Sequence, residues 1–283
     1  MSLSSRKVDL PLILYGNGKL GKLAKEIFDK LKIPIQDIFS KDIIPKKHNK
    51  GSLIAVCIAV SPFKPIHNLL VAQGYESKNI VSVYDIFLAY PEMGILSGWL
   101  TGETLAEEQM NIYFVTQHYH DKESRIHYRA FFCWHKRYEE PIGRIFPLII
   151  NTENRWYIPE VQAALTDKDL IYKEIPGSTL ADIERRRKSN PIFKEYPLSG
   201  SFGYIQLHLE GRELENIKTN MGYFQRNRPI LGVTCYHTRD GLWRIERELM
   251  DGLENYNFYF RLHSFQGQSA ILYGIPVERN IKK

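Results

Sequence analysis

Two stretches of this chain carry residue types and spacings that could do chemistry. The first is "YIQLHLEGRELENI", Tyr204 to Ile217, a short apolar strand that runs into a glycine and then a charged helix. In an open α/β sheet, ligands bind at such strand-to-helix junctions, and Glu210 and Glu213 stand at the mouth of this one. The second is "LPLILYGNGKLGKLAKEIFDKL", where Gly16, Asn17, Gly18 and Gly21 form G-x-G-x-x-G between a strand and an amphipathic helix. The first glycine permits a tight turn, the second lets backbone approach a pyrophosphate, and the third lets helix pack on strand. The helix N-terminus then offers unpaired N–H groups to an anion. Asp42 lies about 20 residues beyond the loop, where a ribose-binding acid is expected, with Asp37 the nearer alternative. Glycine turns of this kind also arise where tight packing alone demands them. A nucleotide or nucleotide-sugar pocket and a plain scaffold are both open readings, and no nucleophile or proton-transfer group accompanies the loop.

The surrounding periodicity says what must position these residues. Leu20, Leu23, Ala24, Ile27, Phe28 and Leu31 recur at helical spacing after the apolar run Leu12 to Tyr15. The runs "IQDIFS", Leu53 to Val60 and "NIVSVYDIF" read as further strands, with a proline-opened helix before the last. This alternation predicts an α/β fold with a small, doubly wound parallel sheet in a Rossmann-like domain, residues 1–90. Residues 91–165 read as a helical connecting segment. There "DKESRIHYRAFFCWHKRYEE" predicts a helix capped by Asp121, with Ile126, Ala130, Phe131 and Trp134 on one face. Residues 166–283 read as strand Gly203 to Leu209, helix Glu213 to Gln225, strand "RPILGVTCYH", helix "DGLWRIERELMDGL", and two strands closing as an antiparallel hairpin.

Composition narrows the function classes. The longest apolar run, "LIAVCIAV", is far below the roughly 20 residues needed to cross a bilayer. The N-terminus "MSLSSRKVDL" lacks the apolar core of a secretory signal. Cys57, Cys133 and Cys235 match neither a disulfide framework nor a metal spacing. The expectation is a cytoplasmic protein. The excess of basic over acidic residues, +6 overall, is mild, and its densest run, "RRRK" at Arg185 to Lys188, has no interleaved aromatics. It reads as a solvated helix face rather than a nucleic-acid surface. His118, His120 and His127 are not spaced as a helical i, i+4 pair with a converging carboxylate, so no metal site is read from them.

The second half resembles the FkbM family of methyltransferases. "YIQLHLEGRELENI" is similar to that family's F-I-K-x-D-I-E-G-A-E strand, "RPILGVTCYH" to R-P-x-L-x-x-x-x-Y-H, and "YFRLHS" with "SAILYGIP" to its closing hairpin. "DKESRIHYRAFFCWHKR" resembles the D-E-x-S helix of longer members. The likeness covers roughly 116–165 and 200–276. It implies the second half of an S-adenosylmethionine-dependent methyltransferase sheet, and O-methylation of a sugar or small-molecule hydroxyl. Glu210, Gly211 and Glu213 fall on the signature; Tyr236, His237, Arg261, His263 and Ser264 fall on downstream positions. His237, at a strand end, suits a base for the acceptor hydroxyl.

Departures from the family pattern point the other way. Its strand-four Lys and Asp align with Gln206 and His208. Its cofactor turn, V-D-x-G-A-x-x-G-x-T, has only the remnant Gly177, Ser178 and Thr179, preceded by Pro176, which has no N–H to offer a methionine carboxylate. The acidic strand end that would hold the ribose has no counterpart. Only about 20 residues separate this turn from Gly203, too few for two more strand–helix units. The expected architecture is therefore a truncated Rossmann-like methyltransferase sheet with its central cofactor part degenerate or deleted. Two functions compete: a compact O-methyltransferase, and a non-catalytic nucleotide or nucleotide-sugar binding protein derived from one.

Overall fold

A computed structural model describes residues 6–40, 51–59, 61–87, 89–90, 93, 102–132, 149–150, 156–173, 179–188, 200–238, 240–263 and 269–279. Four parallel strands form the first sheet: β1 (Leu12–Tyr15), β2 (Ile35–Phe39), β3 (Leu53–Val56) and β4 (Ile80–Ser82), in the order β2-β1-β3-β4. Every residue of β1 and β3 is buried, the pattern of strands covered on both faces. Alternation within them sorts the core. Leu12, Leu14, Leu53 and Ala55 meet Ala24, Ile27 and Phe28 of α1 (Lys19–Lys30). Ile13, Tyr15, Ile54 and Val56 meet Phe63 and Leu70 of α2 (Phe63–Ala72) on the opposite face. The first sheet is thus doubly wound.

One element differs from the periodicity. "NIVSVYDIF" is strand only through Ser82 and then becomes α3 (Val83–Phe87). The buried Asp85 carboxylate accepts the Ser82 N–H at 3.2 Å, so a local side-chain bond replaces the next rung of the ladder.

The second sheet has five strands: β7 (Ile171–Lys173), β8 (Tyr204–Leu207), β9 (Ile230–Thr234), β10 (Tyr256–Leu262) and β11 (Ala270–Pro276), in the order β10-β11-β9-β8-β7. β7, β8 and β9 are parallel, and β11 runs antiparallel to both β9 and β10. Between the two sheets in sequence come α4 (Gly102–Glu107), α5 (Gln109–His118), α6 (Lys122–Phe132), the two-strand pair β5 (Ile149–Ile150) and β6 (Trp156–Tyr157), and α7 (Pro159–Ala164). After β7 come α8 (Leu180–Lys188), α9 (Glu213–Asn227) and α10 (Gly241–Gly252). One face of the second sheet, with Ile205, Leu207, Leu231 and Val233, is covered by Ile217 and Phe224 of α9 and Leu242, Trp243 and Leu249 of α10. Val161 and Ala164 of α7 pack on the other face, against Tyr204, Ile230 and Tyr273. Among the described residues β7 is the last strand on its side, so the truncated sheet and closing hairpin read from the sequence are found. No described helix is long and apolar enough to cross a membrane.

The free edge of β10 is finished by side chains of α6. Ser124 Oγ accepts the Phe260 N–H at 3.0 Å, His127 Nδ1 accepts that of Leu262 at 3.0 Å, and the His120 N–H donates to Phe258 O at 2.8 Å. Asp121 caps α6 as expected, accepting the Ser124 N–H at 2.7 Å, and also holds the buried Arg261 guanidinium at 2.5 Å. On α6, Ser124, His127 and Tyr128 are buried and Ile126 is exposed; Trp134 and the side chains of Ala130 and Phe131, the rest of the expected apolar face, lie outside the described residues. The polar bonds to the strand edge turn the helix, because unpaired N–H groups of an edge strand must be satisfied.

Beneath this layer the Glu246 carboxyl of α10 is fully buried and accepts a hydrogen bond from Tyr119. Burial pushes it well above its ordinary value, against the opposing pull of Tyr119 and Cys235. The folded chain therefore keeps a proton that the unfolded chain releases. The contribution of this group to stability is greatest below the ordinary glutamate range and falls as pH rises from that range towards the raised value, by about 1.4 kcal/mol per unit. Glu246→Gln removes that loss, so the variant should gain on the wild type in thermal melts as pH rises above the ordinary glutamate range. A gap that stays constant with pH would refute this assignment.

Candidate functional site

The junction after β8 is built by one carboxylate. Glu213, the first residue of α9, turns back under the 208–211 loop and accepts the Leu209 N–H at 2.9 Å through Oε1 and the Gly211 N–H at 2.9 Å through Oε2. From the end of β9, the Thr234 hydroxyl donates to Oε1 at 2.7 Å, and His237 Nδ1 sits 2.7 Å from the same atom. Burial alone would raise the Glu213 carboxyl. The neighbouring His237 and the hydrogen bonds from Thr234 and Leu209 outweigh it and bring the pKa down to about 2. Glu213 is thus a fixed anion that holds His237 by Nδ1 and leaves Nε2 facing the cluster.

Glu210 lies across from that imidazole. Its Oε2 is 3.7 Å from His237 Nε2 and its Oε1 is 3.2 Å from His208 Nε2. Its backbone is left-handed, at φ +54°, followed by Gly211 at φ +102°. This reversal between strand and helix swings the Glu210 carboxylate onto the strand ends. Burial raises the Glu210 carboxyl, but the hydrogen bond with His208 and the His237 field leave it below the usual carboxylate range. Burial pushes the His208 imidazole down, and His237 adds to this against the pull of Glu210 and Glu213. Tyr236 packs beside His237, ring centres 4.3 Å apart.

Of the residues singled out in the sequence, Glu210, Glu213 and His237 come together here. His208, where the resemblance has an Asp, completes the cluster. The signal was available as H-x-E across the end of a strand, facing a second histidine at the end of the next. Arg261 and His263, assigned to the same region by resemblance, do other work: Arg261 is bound to Asp121 and Ser124, and His263 Nε2 lies 2.9 Å from the Tyr273 hydroxyl. Ser264, Asp42, Gly177 and Ser178 fall outside the described residues.

The glycine loop follows β1 and leads into α1. Gly16 has φ +115°, and a Cβ there would meet Cys57 O at 2.9 Å. A Cβ on Gly21 would lie 1.9 Å from Gly16 O, so helix and turn touch at backbone level. At Gly18, the N-cap of α1, a Cβ would meet nothing within 4 Å, and no side chain caps the helix. Gly16 and Gly21 are thus required by packing, while Gly18 and the neighbouring Asn17 border open space. Asp37 lies within β2, where its carboxylate accepts the Ile38 N–H at 2.8 Å.

The two sheets are joined at this end of the molecule. Leu180, at the start of α8, packs into the core of the first sheet, and its N–H is accepted by Glu26 of α1 at 2.8 Å. Thr179 caps α8, its Oγ1 accepting the Asp182 N–H at 3.1 Å. From α8, Arg186 donates to His208 O at 3.3 Å. Burial raises the Tyr84 phenol well above its ordinary value, and the Tyr236 phenol adds to this.

A mixed sheet whose parallel strands end in an antiparallel hairpin, with a separate parallel sheet before it, is shared with a solved structure. The chain superposes on methyltransferase FkbM from Methylobacillus flagellatus KT with a TM-score of 0.57 and 14% identity, over 95% of this chain and 90% of that one. The fold is methyltransferase-like. No protein-family model and no curated protein matches the chain. At this identity the likeness concerns architecture, so the chemistry must be argued from the side chains.

Within that architecture Glu213 is the keystone of the junction. Glu213→Gln keeps the shape but puts an amide N–H₂ among N–H and O–H donors. The variant should lose about 3 kcal/mol in urea unfolding. It should also release His237, seen as a change in that imidazole's NMR shifts. Wild-type stability would count against the assigned role.

Proposed function

We propose that this chain is a nucleotide- or nucleotide-sugar-binding relative of the FkbM-type O-methyltransferases, without that family's methyl-donor site. The observation that carries this reading is the position of Glu26. In a donor site built on the turn after the first sheet strand, the following helix directs its free N–H groups at the methionine carboxylate. Here that helix is α8, and the carboxylate at its N-terminus is the protein's own Glu26, bound to the Leu180 N–H. Pro176 precedes it in sequence and has no N–H to add. β7 is crossed over to β8 by α8 alone among the described residues, which supports a donor pocket with one wall.

The glycine loop supports the binding half of the proposal. Its first and third glycines have a packing reason, but Gly18 does not, since a side chain there would enter open space at an uncapped helix N-terminus. That is where a diphosphate approaches in loops of this sequence. A sugar carried by such a nucleotide would be offered to the strand-end cluster, because α8 links the core of the first sheet, through Leu180, to the His208 carbonyl, through Arg186.

A second reading, O-methylation of a hydroxyl, is favoured by the His237–Glu213 pair. Its imidazole is held by a buried carboxylate at Nδ1, the arrangement that makes Nε2 a competent proton acceptor.

Calorimetric titration separates the two. UDP-sugars or NAD should bind the wild type, and Gly18→Val should abolish binding while melting at the wild-type temperature. Gly21→Ala should instead lower the melting temperature, because of its contact with Gly16 O. S-adenosylmethionine should give no heat at millimolar concentration; clear saturation by it would transfer support to the methyltransferase reading. Equal nucleotide binding by Gly18→Val would remove the loop from the proposal.

A further inference from the structure

His208, Glu210 and His237 each present one donor atom, and these atoms all lie within 4.8 Å of one another. The closest approaches are 3.2 Å from His208 Nε2 to Glu210 Oε1 and 3.7 Å from His237 Nε2 to Glu210 Oε2. Metal bonds of about 2.1 Å place donors on adjacent tetrahedral corners about 3.4 Å apart, and the two closest approaches, made to different oxygens of Glu210, lie near that spacing. We propose that His208, Glu210 and His237 form a binding site for a divalent transition-metal ion of the Zn²⁺ type. It goes beyond the nucleotide reading and holds with the glycine loop empty or filled.

Three features of the site support the assignment. Two imidazoles and one carboxylate are a donor set suited to zinc, and three protein donors leave a position open to water or a hydroxyl. His237 is oriented through its other nitrogen by the Glu213 carboxylate at 2.7 Å, the supporting contact that metal-bound histidines generally have. Glu210 is held in the left-handed region at φ +54° although it carries a side chain; such backbone persists where surroundings over-determine it, as in ligand clamps.

The test uses the full-length chain, stripped with a chelator and titrated with Zn²⁺ by calorimetry and with Co²⁺ by visible absorption, without nucleotide. One equivalent should bind, Zn²⁺ should raise the melting temperature, and the Co²⁺ form should show two exchangeable imidazole protons in its paramagnetically shifted proton NMR spectrum. His208→Ala and Glu210→Gln should each weaken binding at least 100-fold, and Glu213→Gln by about 10- to 100-fold. His118→Ala and His120→Ala should bind as the wild type does. Absence of stoichiometric binding, fewer than two imidazole signals on the wild type, or undiminished binding by both His208→Ala and Glu210→Gln would overturn the proposal. The NMR count needs no variant, so it decides the matter even if a substitution fails to fold. Loss of nucleotide binding in Gly18→Val leaves this outcome untouched, which keeps the two proposals separable.

Discussion

The rest of the site depends on a buried carboxylate that has no water to turn to. Glu213 takes donors from the loop after β8, from Thr234 in β9 and from His237 beyond it. A buried anion is tolerable only when hydrogen-bonded on several sides, and here those bonds are also what hold two strand ends in register. The same interaction therefore stabilises the junction and aims an imidazole. Removing it would free the loop and the histidine together, which is why structure and chemistry cannot be assigned to separate residues at this point.

A second constraint is the contact of α8 with the first sheet. Leu180 fills part of that sheet's core, Glu26 accepts its N–H, and Arg186 reaches back to the carbonyl of His208. One short helix thus ties the glycine-loop layer to the acid–imidazole cluster.

The same logic governs the far edge. β10 ends the sheet, and its N–H groups are met by Ser124 and His127 of α6 rather than by another strand. The Asp121–Arg261 pair fastens that helix to the strand. Polar residues that look like site candidates in sequence can be edge fittings. His127 is the clear case: a histidine near two others in the chain is occupied by a backbone N–H.

Much of this was legible from residues alone. The doubly wound first sheet, the β8–α9 junction and the edge hairpin follow from periodicity, because these are local properties. Glu210, Glu213 and His237 were legible as strand-end residues. What required the tertiary structure was their convergence with His208, the bond from the Leu180 N–H to Glu26, and the turning of α6 so that Ser124 and His127 face inward. The Glu26, Ser124 and His127 bonds and the approach of His237 to Glu210 each join atoms distant in sequence. Period and propensity report which face of an element is apolar, but not which distant donor will need an acceptor once water is excluded.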